Sequence, residues 1–89
     1  MKFTCPCCGH MTLPEQPPGT DEICPVCYWH DDRIQFLDPH YEGGANDESL
    51  REAQQNFLEF GAFSARFRGN VRAPRSDEPR DPQWKPVGA

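Results

Sequence analysis

Hydrophobic positions along this chain fall into three regimes. In residues 1–30 they come as short pieces, KFT, MTL and EICPVCYW, broken by cysteine, proline and glycine. Such pieces suit short strands and turns, so the segment predicts two hairpin-like turns. Residues 14–19, PEQPPG, join them as a loop, because three prolines remove donors and fix the backbone. Residues 31–48 are polar and acidic and predict a loop; HDDRIQF gives no convincing helix start.

The second regime is periodic. Ser49 fits an N-cap, and Glu52, three residues on, can close a capping box. The helix is predicted from Leu50 to at least Phe60. At helical spacing Leu50, Ala53, Phe57, Phe60 and Gly61 share one arc, with Arg51, Glu52, Gln55 and Glu59 opposite. Gly61 either ends this helix at positive φ or sits inside a longer one reaching Phe67. The Phe57–Phe67 arc faces either the inside of a monomer or a second copy.

The third regime is nearly devoid of large apolar groups. From Arg72 the chain reads RAPRSDEPRDPQWKPVGA, with four prolines and only Trp84 as a bulky anchor. Neither helix nor central strand survives that spacing, so an irregular, Pro-rich tail docking through Trp84 is expected.

Eighty-nine residues, 36% of them hydrophobic, support one domain with a small core. Chains of this size use disulfides, metals or partners to reach stability, and five cysteines bring the first two into view. The N-terminus runs from one lysine directly into cysteine and proline, without an apolar stretch of signal or membrane-spanning length. A cytoplasmic protein is therefore expected, where paired cysteines are ligands or redox groups more often than disulfides. A secreted fragment already freed of its signal is the alternative.

Cys5 and Cys8 are spaced C-x-x-C, and so are Cys24 and Cys27, with fifteen residues between the pairs. Two intervening residues turn tightly enough to aim both sulfurs at one ion, and two such pairs complete a tetrahedron. Zn²⁺ is the expected occupant of Cys5, Cys8, Cys24 and Cys27, with iron as the alternative. In CPCCGH the proline sets the turn, and Gly9 can open the backbone so that amides point at sulfur. Cys7 lies between two ligands; it is either a half-buried packing residue or a reactive thiol. A thioredoxin-like role for CPVC needs a strand before it and a helix after it, which the flanking residues do not suggest.

His10, His30 and His40 stand singly, and HDD at 30–32 is expected as a solvated acidic edge. A second metal site from these histidines with Asp31, Asp32 and Asp38 lacks a supporting spacing. Tyr28 and Trp29 follow the last ligand, either covering the centre or offering a platform for a partner.

The net charge is −5, and residues 1–69 hold five basic side chains against eleven carboxylates. Four thiolates around a divalent ion would make the body more negative still. This balance disfavours nucleic acid as partner and favours a protein. Arg66, Arg68, Arg72 and Arg75 form the one basic cluster, which either meets phosphates or satisfies carboxylates such as Asp77 and Glu78.

CPCCGHMTL, EICPVCYWHDD, GGANDESLREAQQNFLEFGA and VRAPRSDEPRDPQWKP, in this order, resemble the bacterial cysteine-rich CPCC family over nearly the whole chain. The resemblance implies a zinc-binding domain whose motif cysteines correspond to Cys5, Cys7, Cys8, Cys24 and Cys27. Its cap segment corresponds to Gly43, Gly44, Asn46 and Ser49, and relatives carry an acid where this chain has His30. The expected fold is a small α+β zinc-stabilised domain over 1–89. It has two zinc-ribbon or rubredoxin-like knuckles in 1–30, one amphipathic helix in 49–67 and an extended tail in 72–89. The expected function is a non-enzymatic protein-interaction module. The alternatives are a nucleic-acid-binding zinc ribbon and a thiol enzyme or redox protein using Cys7.

Overall fold

A computed structural model describes residues 2–88. Its first elements are two short strands, β1 (Phe3–Thr4) and β2 (Met11–Leu13), paired antiparallel with a bulge between Phe3 and Thr4. They form the arms of a knuckle that carries Cys5 and Cys8. A second knuckle carries Cys24 and Cys27, and among the described residues its arms meet through one isolated bridge, Ile23 to His30.

The two knuckles repeat one backbone design. In the first, the Cys5 N–H donates to His10 O at 2.9 Å and the Gly9 N–H to Cys5 O at 2.9 Å. In the second, the Cys24 N–H donates to Trp29 O at 3.0 Å and the Tyr28 N–H to Cys24 O at 2.7 Å. Gly9 and Tyr28 hold the same place and the same left-handed backbone, with φ of 79° and 73°. Glycine adopts that conformation freely, whereas tyrosine does so at a cost of about 1 kcal/mol or more.

α2 (Leu50–Phe60) is the amphipathic helix with the expected bounds. Ser49 caps it, and the capping box with Glu52 is complete. Gly61, at φ 85°, ends it, which decides between the two readings of that glycine. Leu50 and Ala53 enter the core, and Phe57 packs against its margin. Gln54, a polar residue, is buried with them. Its amide donates to Pro6 O at 2.9 Å and accepts from the Val87 N–H at 2.8 Å, so α2 is tied to both the first knuckle and the tail. A short 3₁₀ turn at Ala65–Phe67 follows.

A second helix, α1 (Arg33–Leu37), corrects the expectation of a loop throughout 31–48. Asp32 caps it through the Gln35 N–H at 3.1 Å. Periodicity fails here because the apolar Ile34, Phe36 and Leu37 are exposed and the polar Gln35 is the buried residue. The Gln35 amide nitrogen reaches the carbonyls of Tyr41, Asn46 and Glu48 at 2.9–3.1 Å, holding the following loop. Gly44 packs so closely that a Cβ would lie 2.8 Å from both Asp32 and Gln35.

The HDD segment is likewise not a solvated edge. Asp31 is fully buried and accepts from the Thr20 N–H and hydroxyl at 2.9 and 2.7 Å, and Asp32 also accepts from the Ala45 N–H at 2.8 Å. These carboxylates fasten loops that carry few apolar side chains.

Residues 79–84 run along the first knuckle. His10 and Arg80 form an antiparallel bridge, the Met11 N–H donates to Pro79 O at 3.0 Å, and the Asp81 N–H donates to Gly9 O at 2.8 Å. Trp84 lies on Gly9 with its Nε1–H donating to Pro6 O at 2.8 Å. Buried Glu78 receives Arg72 through two bonds at 2.7 and 2.9 Å, the Arg75 N–H at 2.9 Å and Lys2 at 3.2 Å. Arg72, first among these partners, holds its carboxyl at a pKa of about 2.

Candidate metal centre

Each knuckle aims two sulfurs at one point. Cys5, Cys8, Cys24 and Cys27 bring their Sγ atoms within 4.8 Å of one another, and all four residues have 0% exposure. The sulfurs of Cys5 and Cys27 stand 3.6 Å apart, those of Cys8 and Cys24 3.8 Å. A tetrahedron with metal–sulfur bonds of about 2.3 Å has edges of about 3.8 Å. Two of the six edges match this, and the four cysteines could hold a metal ion.

The buried sulfurs perturb one another's ionisation. Burial pushes the Cys5 and Cys27 thiols well up, and the neighbouring Cys24 sulfur pushes Cys8 up, whereas donation from Cys27, Cys5 and Cys8 pulls Cys24 down. A cluster without a cation shares its protons because buried thiolates repel one another. A divalent cation would offset much of that penalty, leaving a site with a net charge of about −2.

Two polar groups contact the sulfurs. Thr12 Oγ1 lies 3.0 Å from Cys24 Sγ, and the Trp29 N–H points at Cys27 Sγ from 3.5 Å. The Gly9 amide instead bonds the Cys5 carbonyl, so its open backbone serves the turn and the packing of Trp84. Thr12 carries no signal in the sequence; only the pairing of β2 with β1 brings its hydroxyl to the second cysteine pair.

The remaining candidates are not among the four converging sulfurs, although the Cys7 thiol reaches Cys27. Cys7 is buried completely, not by half, and packs in the core with Leu13, Val26 and Trp29. His10 Nδ1 lies 2.9 Å from Glu78 O, His30 Nε2 lies 3.3 Å from Asp21, and His40 is exposed. Trp29 joins the core edge-to-face with Phe63, while Tyr28 stacks on Phe67 at 5.2 Å.

The arginines divide. Arg66 pairs with Asp47 and Glu48 at 3.1 and 3.4 Å, Arg72 with Glu78, and Arg68 lies 5.4 Å over the Phe60 ring. Arg75 keeps an exposed side chain and uses its backbone on Glu78. Among the described residues no helix is long and apolar enough to cross a membrane.

No curated protein matches the chain. A model of the family described as Cysteine-rich CPCC matches residues 3–78, which span both knuckles, α2 and the Arg72–Glu78 clamp. The clustered sulfurs, the repeated knuckle and this match over most of the sequence lead to one conclusion: the chain belongs to the cysteine-rich CPCC family.

Proposed function

We propose that the four cysteines bind one Zn²⁺ as a closed structural centre and that the domain is a non-enzymatic module that binds another protein, in the cytoplasm of a bacterium. The observation that carries this reading is the 0% exposure of Cys5, Cys8, Cys24 and Cys27 together. Catalytic zinc keeps one position open to water or substrate, and a sealed set of four thiolates leaves none. The same burial applies to Cys7, which speaks against a thiol nucleophile that needs access to its substrate.

The acidic surface supports a protein partner over a nucleic acid. Arg66 and Arg72 are already engaged with carboxylates, which weakens the one basic cluster as a phosphate grip.

Native mass spectrometry of the untagged chain, gently purified from its own host, tests both halves of the proposal. The expected result is one zinc per chain and a co-purifying protein mass. Turnover of a substrate by the zinc-loaded protein that depended on Cys7 would overturn the non-enzymatic assignment. So would tight oligonucleotide binding at low salt for the choice of partner.

A further inference from the structure

The arms of the two knuckles are covered differently. On the first, residues 79–84 add an extended segment to the His10–Met11 arm through the His10–Arg80 bridge and seat Trp84 on Gly9. On the second, the bridge between Ile23 and His30 is closed by bonds from Asp31 N–H to Glu22 O and from Cys24 N–H to Trp29 O. In such a pair the N–H and C=O of Ile23 and His30 point away from each other to opposite edges. The His30 edge is satisfied by Asn46, whose amide accepts from His30 N–H at 3.0 Å and donates to His30 O at 2.8 Å. Among the described residues, no hydrogen bond closes the Ile23 edge, and Ile23 is 46% exposed.

Beside that edge lies a cavity of about 210 Å³. Tyr28, Phe63 and Phe67 form its aromatic wall, stacked in series with ring separations of 5.2 and 5.3 Å, and Ile23 borders it. It is smaller than the roughly 300–1,000 Å³ usual for small-molecule sites and suits a single bulky side chain. Tyr28 holds its left-handed backbone here although the equivalent position of the first knuckle is glycine. Its ring supplies wall to the cavity, which glycine would not.

Charge sets the rest. Asp21, 85% exposed and 3.3 Å from His30 Nε2, and Glu22 immediately precede Ile23. At the rim Asp47 is paired at 3.1 Å with Arg66, which also lines the cavity, so the carboxylates beside Ile23 are those a partner's cation would meet.

We propose that the Ile23 edge and this cavity dock an extended segment of a partner protein, which adds as a strand and inserts one aromatic side chain flanked by lysine or arginine. An added strand places alternate side chains on the face that Ile23 and His30 present, above the aromatic wall. On the first knuckle the chain's own tail adds an extended segment of this composition, though to the opposite arm: Trp84 is followed by Lys85 and is covered by Arg80 at 4.9 Å. This site rests on the interaction-module reading and names where and what that module binds.

The test uses full-length, zinc-loaded protein as bait for a phage library of random linear peptides, followed by amide NMR mapping with a synthesised winner. Enriched peptides are expected to place an aromatic residue beside lysine or arginine and to shift Ile23, Tyr28, Asn46 and Phe67. Ile23→Lys, at an exposed position, should weaken binding about tenfold or more. Asp21→Asn should weaken it several-fold, and Leu58→Lys on exposed α2 should change nothing. Circular dichroism and zinc content verify that each variant folds. Peptides without this pattern, or equal binding by Ile23→Lys and Asp21→Asn, would overturn the site. Peptides mapping to the apolar groove at Val26, Phe57 and Phe60 would overturn it while leaving the module reading intact. Failure to select any peptide overturns the site as well, and only the further absence of a co-purifying protein brings down the module reading.

Discussion

Replacing Gly9 by alanine separates two causes of instability at the first knuckle. The added Cβ would lie 2.5–2.8 Å from three atoms of the Trp84 ring, and the backbone must keep φ near 79°. The left-handed conformation costs alanine about 1–2 kcal/mol. Expelling Trp84 forfeits its apolar contact and the 2.8 Å bond to Pro6, together about 2 kcal/mol for a half-buried ring. The single variant should thus lose about 3–4 kcal/mol, and Trp84→Ala alone about 2 kcal/mol. In the Trp84→Ala background, Gly9→Ala should cost only the backbone part, leaving a coupling of about 2 kcal/mol. Urea unfolding of the metal-loaded proteins by circular dichroism measures all four corners of this cycle. Additive losses would refute the claim that Trp84 is held by the shape of the first knuckle.

Three further outcomes follow from the geometry. Tyr28→Gly and Tyr28→Ala both delete the ring stacked on Phe67, yet the glycine variant should be the more stable by about 1 kcal/mol in urea unfolding, because φ is 73° there. Glu78→Gln should cost about 2 kcal/mol at neutral pH, given partners that stay partly exposed. The folded-state pKa of Glu78 is depressed from 4.5 to about 2, so this difference should be full above pH 4.5 and fade as pH falls through 2; a pH-independent difference would contradict the ion-pair account. Cys7→Ser should leave the metal-to-chain ratio measured by native mass spectrometry unchanged, whereas Cys5→Ser should lower it.

The legible parts of this fold are those where local chemistry decides the conformation. Ser49 and Glu52 set the start of α2, Gly61 its end, and the two C-x-x-C pairs the convergence of four sulfurs. Polar groups buried by distant partners left no such trace. Gln35 and Asn46 bond each other at 2.9 Å inside the protein, and neither belongs to an apolar pattern. Asp31 and Asp32 read as surface charge because their partners, Thr20 and Ala45, lie eleven and thirteen residues away. The same reason hid α1, whose buried residue is an amide and whose apolar ones face outward. Glu78 was visible as a carboxylate available to arginine, but its burial depends on a tail that folds back to Lys2. A domain with so small a core is fastened by polar contacts between loops, and those contacts are set by tertiary structure.

X-ray absorption at the zinc edge of the purified protein tests the central claim most directly. The account predicts one shell of four sulfur atoms at about 2.3 Å, with no nitrogen or oxygen in the first shell. A shell containing oxygen or nitrogen, or a folded chain that holds no metal, would contradict it.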